Sequence, residues 1–188
     1  DAKWNSIPME QASQIEIMKG ASSVLYGSGA LNGVISLSEK EPSPKGTFKA
    51  KIQSGIYDNP RRSSMRWWDK NPTFHLADIY YGKSGKNTGF TIGANAYIDS
   101  GFRKEENEER YRLNGTFYFK PKKNKNLKAG LSYNMQYQDL GVFVLWKNDS
   151  MGLEPQDNTI DRQKSIRLSV DPYVKLYDKF KNKHYFRS

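Results

Sequence analysis

Hydrophobic and polar residues alternate along most of this chain with a period of two, in segments of roughly ten residues. Between Phe90 and Asp99 the even-numbered positions are apolar, whereas the odd-numbered ones hold threonine, glycine, asparagine, tyrosine and aspartate. Similar alternation recurs at Arg110–Lys120, Leu127–Gln138 and Ser165–Leu176. A period of two places the two sets on opposite faces of a sheet. The pattern therefore predicts long β-strands with one apolar and one polar face.

Three further segments extend this predicted meander. One strand begins at Gly46, a weaker one runs from Thr73 to Tyr81 with neither face clearly apolar, and another starts near His184. Pro172 lies within the sixth strand and removes a ladder donor, so we expect a bulge or local bend there. Six strands and the start of a seventh are predicted.

Short and long connections alternate between these strands. The short ones are 82–88, 121–126 and 178–183, and the long ones are 56–72, 100–109 and 139–164. This asymmetry is typical of outer-membrane barrels, which have short periplasmic turns and long extracellular loops. We therefore expect the strand from Gly46 to run away from the periplasm.

Composition narrows the class of protein. The 188 residues are 36% hydrophobic, the mean hydropathy is -0.84 and there is no cysteine. No apolar run approaches the roughly 20 residues of a membrane-spanning helix. The net charge of +10 would by itself favour nucleic-acid binding. However, many basic residues fall on the polar strand face, where a charged, wet barrel lumen would hold them: Lys49, Lys51, Arg112, Lys128, Arg167 and Lys175.

The stretch from Gln14 to Lys40 has a different organisation. Ile15 and Ile17 alternate as in a strand, Gly20 ends that strand, and two serines can cap a short helix reaching Tyr26. A glycine-rich loop then leads into a second, β-branched strand. The order is strand, turn, short helix, glycine loop, strand.

This stretch resembles the end of the plug domain of TonB-dependent outer-membrane receptors. The matching residues are Ile15, Glu16, Ile17, Lys19, Gly20, Ser23, Leu25, Tyr26, Gly27, Ser28, Gly29, Ala30, Gly33, Val34, Ile35 and Lys40. The chain departs from the family pattern at Ala21, where the family has proline, and at Ser36-Leu37, where it has Asn-Ile. A nucleotide-binding loop is the alternative, but the glycine spacing differs from G-x-G-x-x-G and the loop enters a strand.

The resemblance implies an active importer of a scarce solute, such as an iron chelate (siderophore), a vitamin, a glycan or a peptide. Residues 1–40 would be the C-terminal part of the plug, 41–45 a linker, and 46–188 the first six to seven antiparallel strands of a transmembrane β-barrel of about 22 strands. It would lie in the bacterial outer membrane as a multi-pass β-barrel. The implied function is binding and plug gating, with no enzyme activity and no cofactor.

The family's partners are TonB, outer-membrane lipid and lipopolysaccharide, and the transported substrate, and a surface lipoprotein is a further open partner. In this family TonB grips a segment at the plug N-terminus, which we expect outside this sequence. The chain begins without a signal-peptide pattern and ends in a strand-like segment, so we expect an internal piece of a longer protein.

Candidate site residues lie in the first long loop, which carries Arg61, Arg62, Arg66, Trp67 and Trp68. Arginine beside exposed tryptophan can stack on a sugar or aromatic ligand and bind its anionic groups. Packing within the loop or contact with lipopolysaccharide is the alternative. The acidic run in the second long loop is expected to be solvated.

No catalytic residue or metal site is predicted. His75 and His184 lie in no metal-ligand spacing, and no nucleophile elbow or triad pattern occurs. Two other functions stay open. One is a self-contained basic sandwich or open barrel that binds polyanions such as nucleic acid, and the other, disfavoured by the plug motif, is a passive porin or adhesin barrel.

Overall fold

The computed structural model describes residues 12–20, 33–39, 41–124, 126–180 and 182–187. They form two antiparallel sheets and one short 3-10 helix at Ser63–Met65. The small sheet pairs β1 (Ala12–Lys19) with β2 (Gly33–Glu39). The large sheet is a seven-stranded meander in chain order: β3 (Thr47–Ile56), β4 (Thr73–Ser84), β5 (Thr88–Asp99), β6 (Glu108–Phe119), β7 (Leu127–Val142), β8 (Asp161–Tyr177) and β9 (Lys183–Arg187).

The small sheet contains both strands expected in the plug-like stretch. Ile17 lies opposite Ile35, and the ladder closes with Lys19 opposite Gly33. Gly20 has a φ of 93° and so ends β1 in a conformation that favours glycine. The predicted short helix and glycine loop fall within 21–32, outside the described residues.

The large sheet confirms the predicted strands and extends most of them by one to four residues. The weak segment from Thr73 is a full strand of 12 residues that pairs along its length with both neighbours. Ile79 lies opposite Ala50 on one side and Ala94 on the other, so β4 continues an apolar row that its own sequence barely shows.

The bulge expected at Pro172 is absent. Leu131 pairs directly with Pro172, and the register of β7 against β8 runs without a shift on either side. Proline removes its own backbone donor but needs no extra residue in the strand. Its side chain lies on the exposed apolar face, in the row that contains Leu131 and Phe117.

The large sheet exposes its apolar face and covers its polar face, which is the reverse of a water-soluble domain. Leu168 is 70% exposed and Phe117 is 53% exposed on the apolar face. On the polar face Gln136 is 1% exposed and Asn114 is 2% exposed. An exposed apolar surface of this extent marks an interface with protein or lipid.

The connections divide the sheet into two edges. The short-turn edge carries the turns 85–87, 120–126 and 178–182 and receives the linker from the small sheet. The long-loop edge carries 57–72, 100–107 and 143–160, so the predicted alternation is confirmed. At the short-turn edge the carbonyl of Ser43 accepts hydrogen bonds from the N–H groups of Gly46 and Ser84, each at 3.1 Å. No helix in these described ranges is long and apolar enough to cross a membrane.

Candidate functional site

The polar face of the large sheet is a hydrogen-bonded layer of side chains. Glu108 accepts from Gln138 Nε2 at 2.8 Å and pairs with Arg110 at 2.8 Å, which links β6 to β7. Asn95 of β5 donates to Asp78 of β4. The buried Oε1 of Gln136 has no hydrogen-bond partner among the described residues. Because buried polar atoms are normally paired, this face is suited to meet a further polar partner.

The linker is tied to this face at the short-turn edge by Glu41. Its carboxylate forms an ion pair with Lys128 Nζ, and Lys120 Nζ lies 3.7 Å from its second oxygen. The hydrogen bond from Lys128 lowers the pKa of Glu41 below its ordinary value, and the charges of Lys128, Lys120 and Lys175 act in the same direction. The side chain of Lys128 is 13% exposed, whereas that of Glu41 is 61% exposed. The lysine is therefore held by the sheet, and the glutamate approaches it from the solvent side.

Two tyrosines of the polar face lie flat over glycines of neighbouring strands. A Cβ at Gly89 would collide with the ring of Tyr118, and a Cβ at Gly130 would collide with the ring of Tyr173. Glycine is required at both positions because the ring occupies the space of a side chain. The two rings form part of the floor on which the lysines rest.

Lysines sit above these rings. Lys128 Nζ lies 3.9 Å from the ring centroid of Tyr118, and Lys120 Nζ lies 5.2 Å from the same centroid. Lys175 Nζ lies 5.3 Å from the Tyr173 centroid and 5.0 Å from that of Tyr185. Such cation–π contacts hold the ammonium groups in place beside the linker.

A cleft of about 550 Å³ opens beside these lysines on the polar face. Its lining is rich in hydroxyl, amide and phenol groups: Glu41, Pro42, Thr91, Asn114, Thr116, Tyr118, Lys128, Ser132, Tyr133, Asn134, Ser169, Asp171, Tyr173, Lys175, Tyr185 and Arg187. Asp171 is paired with Arg187 at 2.8 Å, so the remaining charges of the lining are those of Lys128 and Lys175 against Glu41. The cleft is therefore polar and positively charged.

At the opposite edge, an aromatic cluster joins the first two long loops. Trp67 Nε1 donates to the carbonyl of Phe102 at 3.0 Å, and the ring centroids of Trp68 and Phe102 are 5.5 Å apart. Trp67 and Trp68 meet edge to face, and Trp68 is buried. The two tryptophans thus fasten loop 57–72 to loop 100–107.

The third long loop is attached to the second. The guanidinium of Arg103 lies 3.8 Å from the ring centroid of Phe143 and donates to its carbonyl at 3.1 Å. Lys104 Nζ pairs with Glu154 at 2.9 Å, and this hydrogen bond raises the pKa of Lys104. The three long loops therefore form one connected layer above the sheet.

The structure separates the five predicted ligand residues into two groups. Trp67 and Trp68 pack within the loop layer, and Arg66 donates to the carbonyls of Trp68 and Asp69, each at 2.9 Å. Arg61 and Arg62 are exposed at the surface of the same loop. Packing within the loop, the alternative to ligand binding, therefore accounts for Trp67, Trp68 and Arg66. Ligand binding by the five residues stays a prediction.

Sequence reasoning missed a carboxylate hub at the base of this layer. Asp99, the last residue of β5, accepts from the hydroxyls of Tyr57 at 2.8 Å and Tyr97 at 2.7 Å and from the N–H of Gly101 at 2.8 Å. Burial, and then Asp99 itself, raise the pKa of Tyr57 to about 12. No sequence signal pointed to this hub, because Tyr57 and Asp99 are 42 positions apart.

Of the predicted plug-motif residues, Lys19, Gly20 and Gly33 are described. Lys19 and Gly33 form the last pair of the β1–β2 ladder, and Gly20 follows it. The other five, Leu25, Tyr26, Gly27, Ser28 and Gly29, lie outside the described residues. A Cβ at Gly33 would lie 2.6 Å from the carbonyl oxygen of Met18, so this position requires glycine. In the part of the chain that the structure describes, no group of His, Cys, Asp and Glu could hold a metal ion.

Comparison with known proteins gives a family match for the first part of the chain. Residues 1–34 match the family model described as the TonB-dependent Receptor Plug Domain. No curated protein and no solved structure gives a significant match. The chain thus contains a TonB-dependent receptor plug-domain segment followed by antiparallel β-strands.

Proposed function

We propose that this chain supplies the end of a plug and the first strands of a transmembrane β-barrel, of about 22 strands when closed, that imports a scarce solute across the bacterial outer membrane. The plug-domain segment implies a TonB-dependent transport role, and receptors of this family are in general transporters that make no covalent change. Substrate binding outside, followed by rearrangement of the plug when TonB pulls, is the proposed mechanism. The candidate substrates are iron chelates, vitamins, glycans and peptides.

The observation that carries the proposal is the reversed polarity of the large sheet. Its exposed face presents isoleucine, leucine and phenylalanine, and its covered face presents amide and guanidinium groups. In water the exposed face would favour aggregation, whereas in a bilayer it would meet hydrocarbon. The polar face would then form part of the lumen wall and surround the plug. The basic residues of that face need no nucleic acid to account for them.

Aromatic residues on the apolar face support the same orientation. The rings of Tyr111 and Tyr137 stack with centroids 6.3 Å apart towards the long-loop edge. Tyr81 and Phe90 pair at 5.7 Å towards the short-turn edge. Aromatic residues at the two ends of an apolar band are typical of membrane interfaces. The band between them would lie in the hydrocarbon layer.

Spin labels test this proposal in the full receptor reconstituted in lipid. We expect labels at Phe90, Ile92, Phe117 and Leu131 to be accessible to oxygen, which concentrates in lipid, and shielded from a water-soluble nickel chelate. A label at Thr91 provides the matched control, because it is adjacent in sequence but belongs to the polar face. Labels at the four apolar positions that report only water would refute the barrel and favour a soluble, polyanion-binding sheet.

The outer loops are the proposed site of substrate capture. Loops 57–72, 100–107 and 143–160 form one connected layer, and Arg61 and Arg62 are exposed on it. Two adjacent guanidinium groups suit a ligand with carboxylate or phosphate groups. Lipopolysaccharide is the other anionic molecule that these residues would meet at this surface.

A further inference from the structure

We infer that the lysine cluster at the short-turn edge of the polar face is an anion-binding site, which Glu41 of the linker occupies as an internal substitute for a ligand carboxylate or phosphate. The site consists of Lys120, Lys128 and Lys175 on their tyrosine floor. The inference rests on the proposed function, because it takes the polar face as a wall of the import path. The binding test below does not itself require import.

The register of β7 against β8 brings two cations together. Lys128 of β7 lies directly opposite Lys175 of β8, and both side chains point to the polar face. Like charges directly opposite each other on one face of a sheet are destabilising. An anion between or beside them removes that cost. Glu41 supplies one carboxylate to a site where two ammonium groups are paired in register.

The lysine cluster is held in place by the strands. Lys128 is held over Tyr118, and Lys175 is held between Tyr173 and Tyr185. The rings in turn lie over glycine backbone, as Tyr173 does over Gly130. The cations are therefore positioned by the strands and not by Glu41. A preorganised pair of cations binds an incoming anion with little loss of side-chain entropy.

Glu41 is placed where a ligand can displace it. Its side chain is 61% exposed, and it belongs to a linker and not to a strand. Beside it the cleft of about 550 Å³ is large enough for a small organic anion, and its wall includes the hydroxyls of Thr116 and Ser132, which hydrogen-bond to each other at 3.0 Å. A ligand that enters the cleft thus competes with Glu41 for the same lysines, and binding is coupled to release of Glu41, while Ser43 stays bonded to Ser84.

This competition would connect substrate position to the plug. When Glu41 leaves, the linker loses its ion pairs with the β6–β7 wall. An anionic substrate in the cleft would keep the lysines neutralised and so hold Glu41 released. When the cleft is empty, Glu41 returns and closes the site again.

The test uses the absence of cysteine from the chain. Ser132→Cys places one thiol in the wall of the cleft of the full receptor in detergent micelles, after any cysteine outside these 188 residues has been replaced by serine. The rate of its reaction with a negatively charged methanethiosulfonate reagent, divided by the rate with an uncharged one, reports the local potential. We expect Glu41→Gln to raise this ratio about three- to tenfold and Lys128→Gln to lower it by a similar factor, as removal of one nearby charge implies.

Lys49→Gln is the matched control. Lys49 also rests over a tyrosine of the polar face, 5.4 Å from the centroid of Tyr80, but it does not line the cleft. Its substitution removes the same charge and should leave the ratio almost unchanged. A ratio that responds equally to Lys49→Gln and Lys128→Gln would overturn the site, because it would then reflect only the net charge of the face.

Two probe anions separate the ligand classes. In the Glu41→Gln variant that also carries Ser132→Cys, inorganic phosphate or citrate should slow the reaction of the introduced thiol with the charged reagent, and Lys128→Gln should abolish that protection. Protection by phosphate alone identifies a phosphoryl site, and protection by citrate alone identifies a carboxylate site. Protection by neither anion overturns the inference. Because these rates are measured without import, a failed barrel test and a failed anion test are distinguishable.

Discussion

Val170→Arg tests whether the exposed apolar face of the large sheet lies in lipid. Val170 is 53% exposed on β8 and lies opposite Tyr133 of β7. It is the third of six alternate positions from Ile166 to Leu176 on that face. At about 3.4 Å per residue this band is roughly 34 Å along the strand, or about 26 Å in depth for a tilt of about 40°. That depth agrees with the apolar band of about 25 Å in outer-membrane barrels.

The position of Val170 near the middle of this band determines how much stability the receptor should lose when arginine replaces valine. Arginine at the bilayer midplane destabilises a barrel by about 2–4 kcal/mol, and near the interface by about 0–1 kcal/mol. We therefore expect Val170→Arg to cost about 3 kcal/mol and Ile166→Arg, at the end of the same row, at most about 1 kcal/mol. In water both substitutions would fall within about 0.5 kcal/mol, because exposed positions tolerate charge. Ile166 is even more exposed, at 74%, so exposure and depth both predict the smaller cost at Ile166. The size of the difference separates lipid from water, because it is about 2 kcal/mol or more in a bilayer and at most about 0.5 kcal/mol in water.

The assay is urea unfolding of the receptor in lipid bilayers, followed by the difference in gel migration between folded and heated protein. The free energy of unfolding is extrapolated to zero denaturant for each variant. Gln53→Arg is the control, because Gln53 is exposed on the polar face of β3, where arginine should be accepted. An unfolding free energy of Val170→Arg equal to that of Ile166→Arg, or to that of the parent protein, would refute a lipid-facing sheet.

Two further predictions concern the polar face and the linker. Gly130→Ala should destabilise the receptor by about 1–3 kcal/mol in the same unfolding assay, because the added Cβ displaces the ring of Tyr173; Gly85→Ala, with no atom nearer than 3.6 Å to the new Cβ, should be near neutral. The second prediction is a dependence on pH. Lys128 lowers the pKa of Glu41, so the carboxylate contributes stability above its ordinary value of 4.5 and loses it as the pH falls through the lower, folded value. A spin label at Pro42→Cys, next to Glu41 and outside the backbone bond between Ser43 and Gly46, should therefore stay immobile from neutral pH to about 4.5 and become mobile only below it, whereas in Glu41→Gln its mobility should not change with pH.

The strands could be predicted because period-two alternation records the environment of each face directly. It failed to show β4 clearly, since the polar-face positions of that strand include Phe74, Leu76 and Tyr80. The first of these lies where the polar face approaches the aromatic cluster of the loops, as the 5.6 Å between the rings of Phe74 and Tyr57 shows. Local composition there reflects the loop contacts as well as the sheet. The bulge predicted at Pro172 was wrong for another reason. Proline lacks the backbone N–H donor, but it still occupies a regular position in the ladder, opposite Leu131.

The sites were less accessible to prediction because their members are distant in sequence. Glu41 and Lys128 are separated by 87 positions, and Tyr57 and Asp99 by 42. No short-range sequence pattern predicts either contact, because each one depends on the register of several strands. The sequence indicates Trp67 and Trp68 as candidate ligand residues because of their side-chain type. Their packing partner Phe102 could not be predicted, because it belongs to loop 100–107.

The two faces and the free edge of the large sheet lead to one physical requirement. In water the apolar face would associate with other apolar surfaces, and the outer backbone edge of β3, which has no strand partner among the described residues, would pair with other strands. Covering the face with protein would leave that edge open, and pairing the edge within a flat soluble sheet would leave the face exposed. Closure into a barrel within a bilayer satisfies both, because closure pairs the edge and lipid covers the face. In the proposed barrel, the polar layer of amides and guanidinium groups would surround an interior that the plug-domain segment, joined to β3 through the linker, would enter.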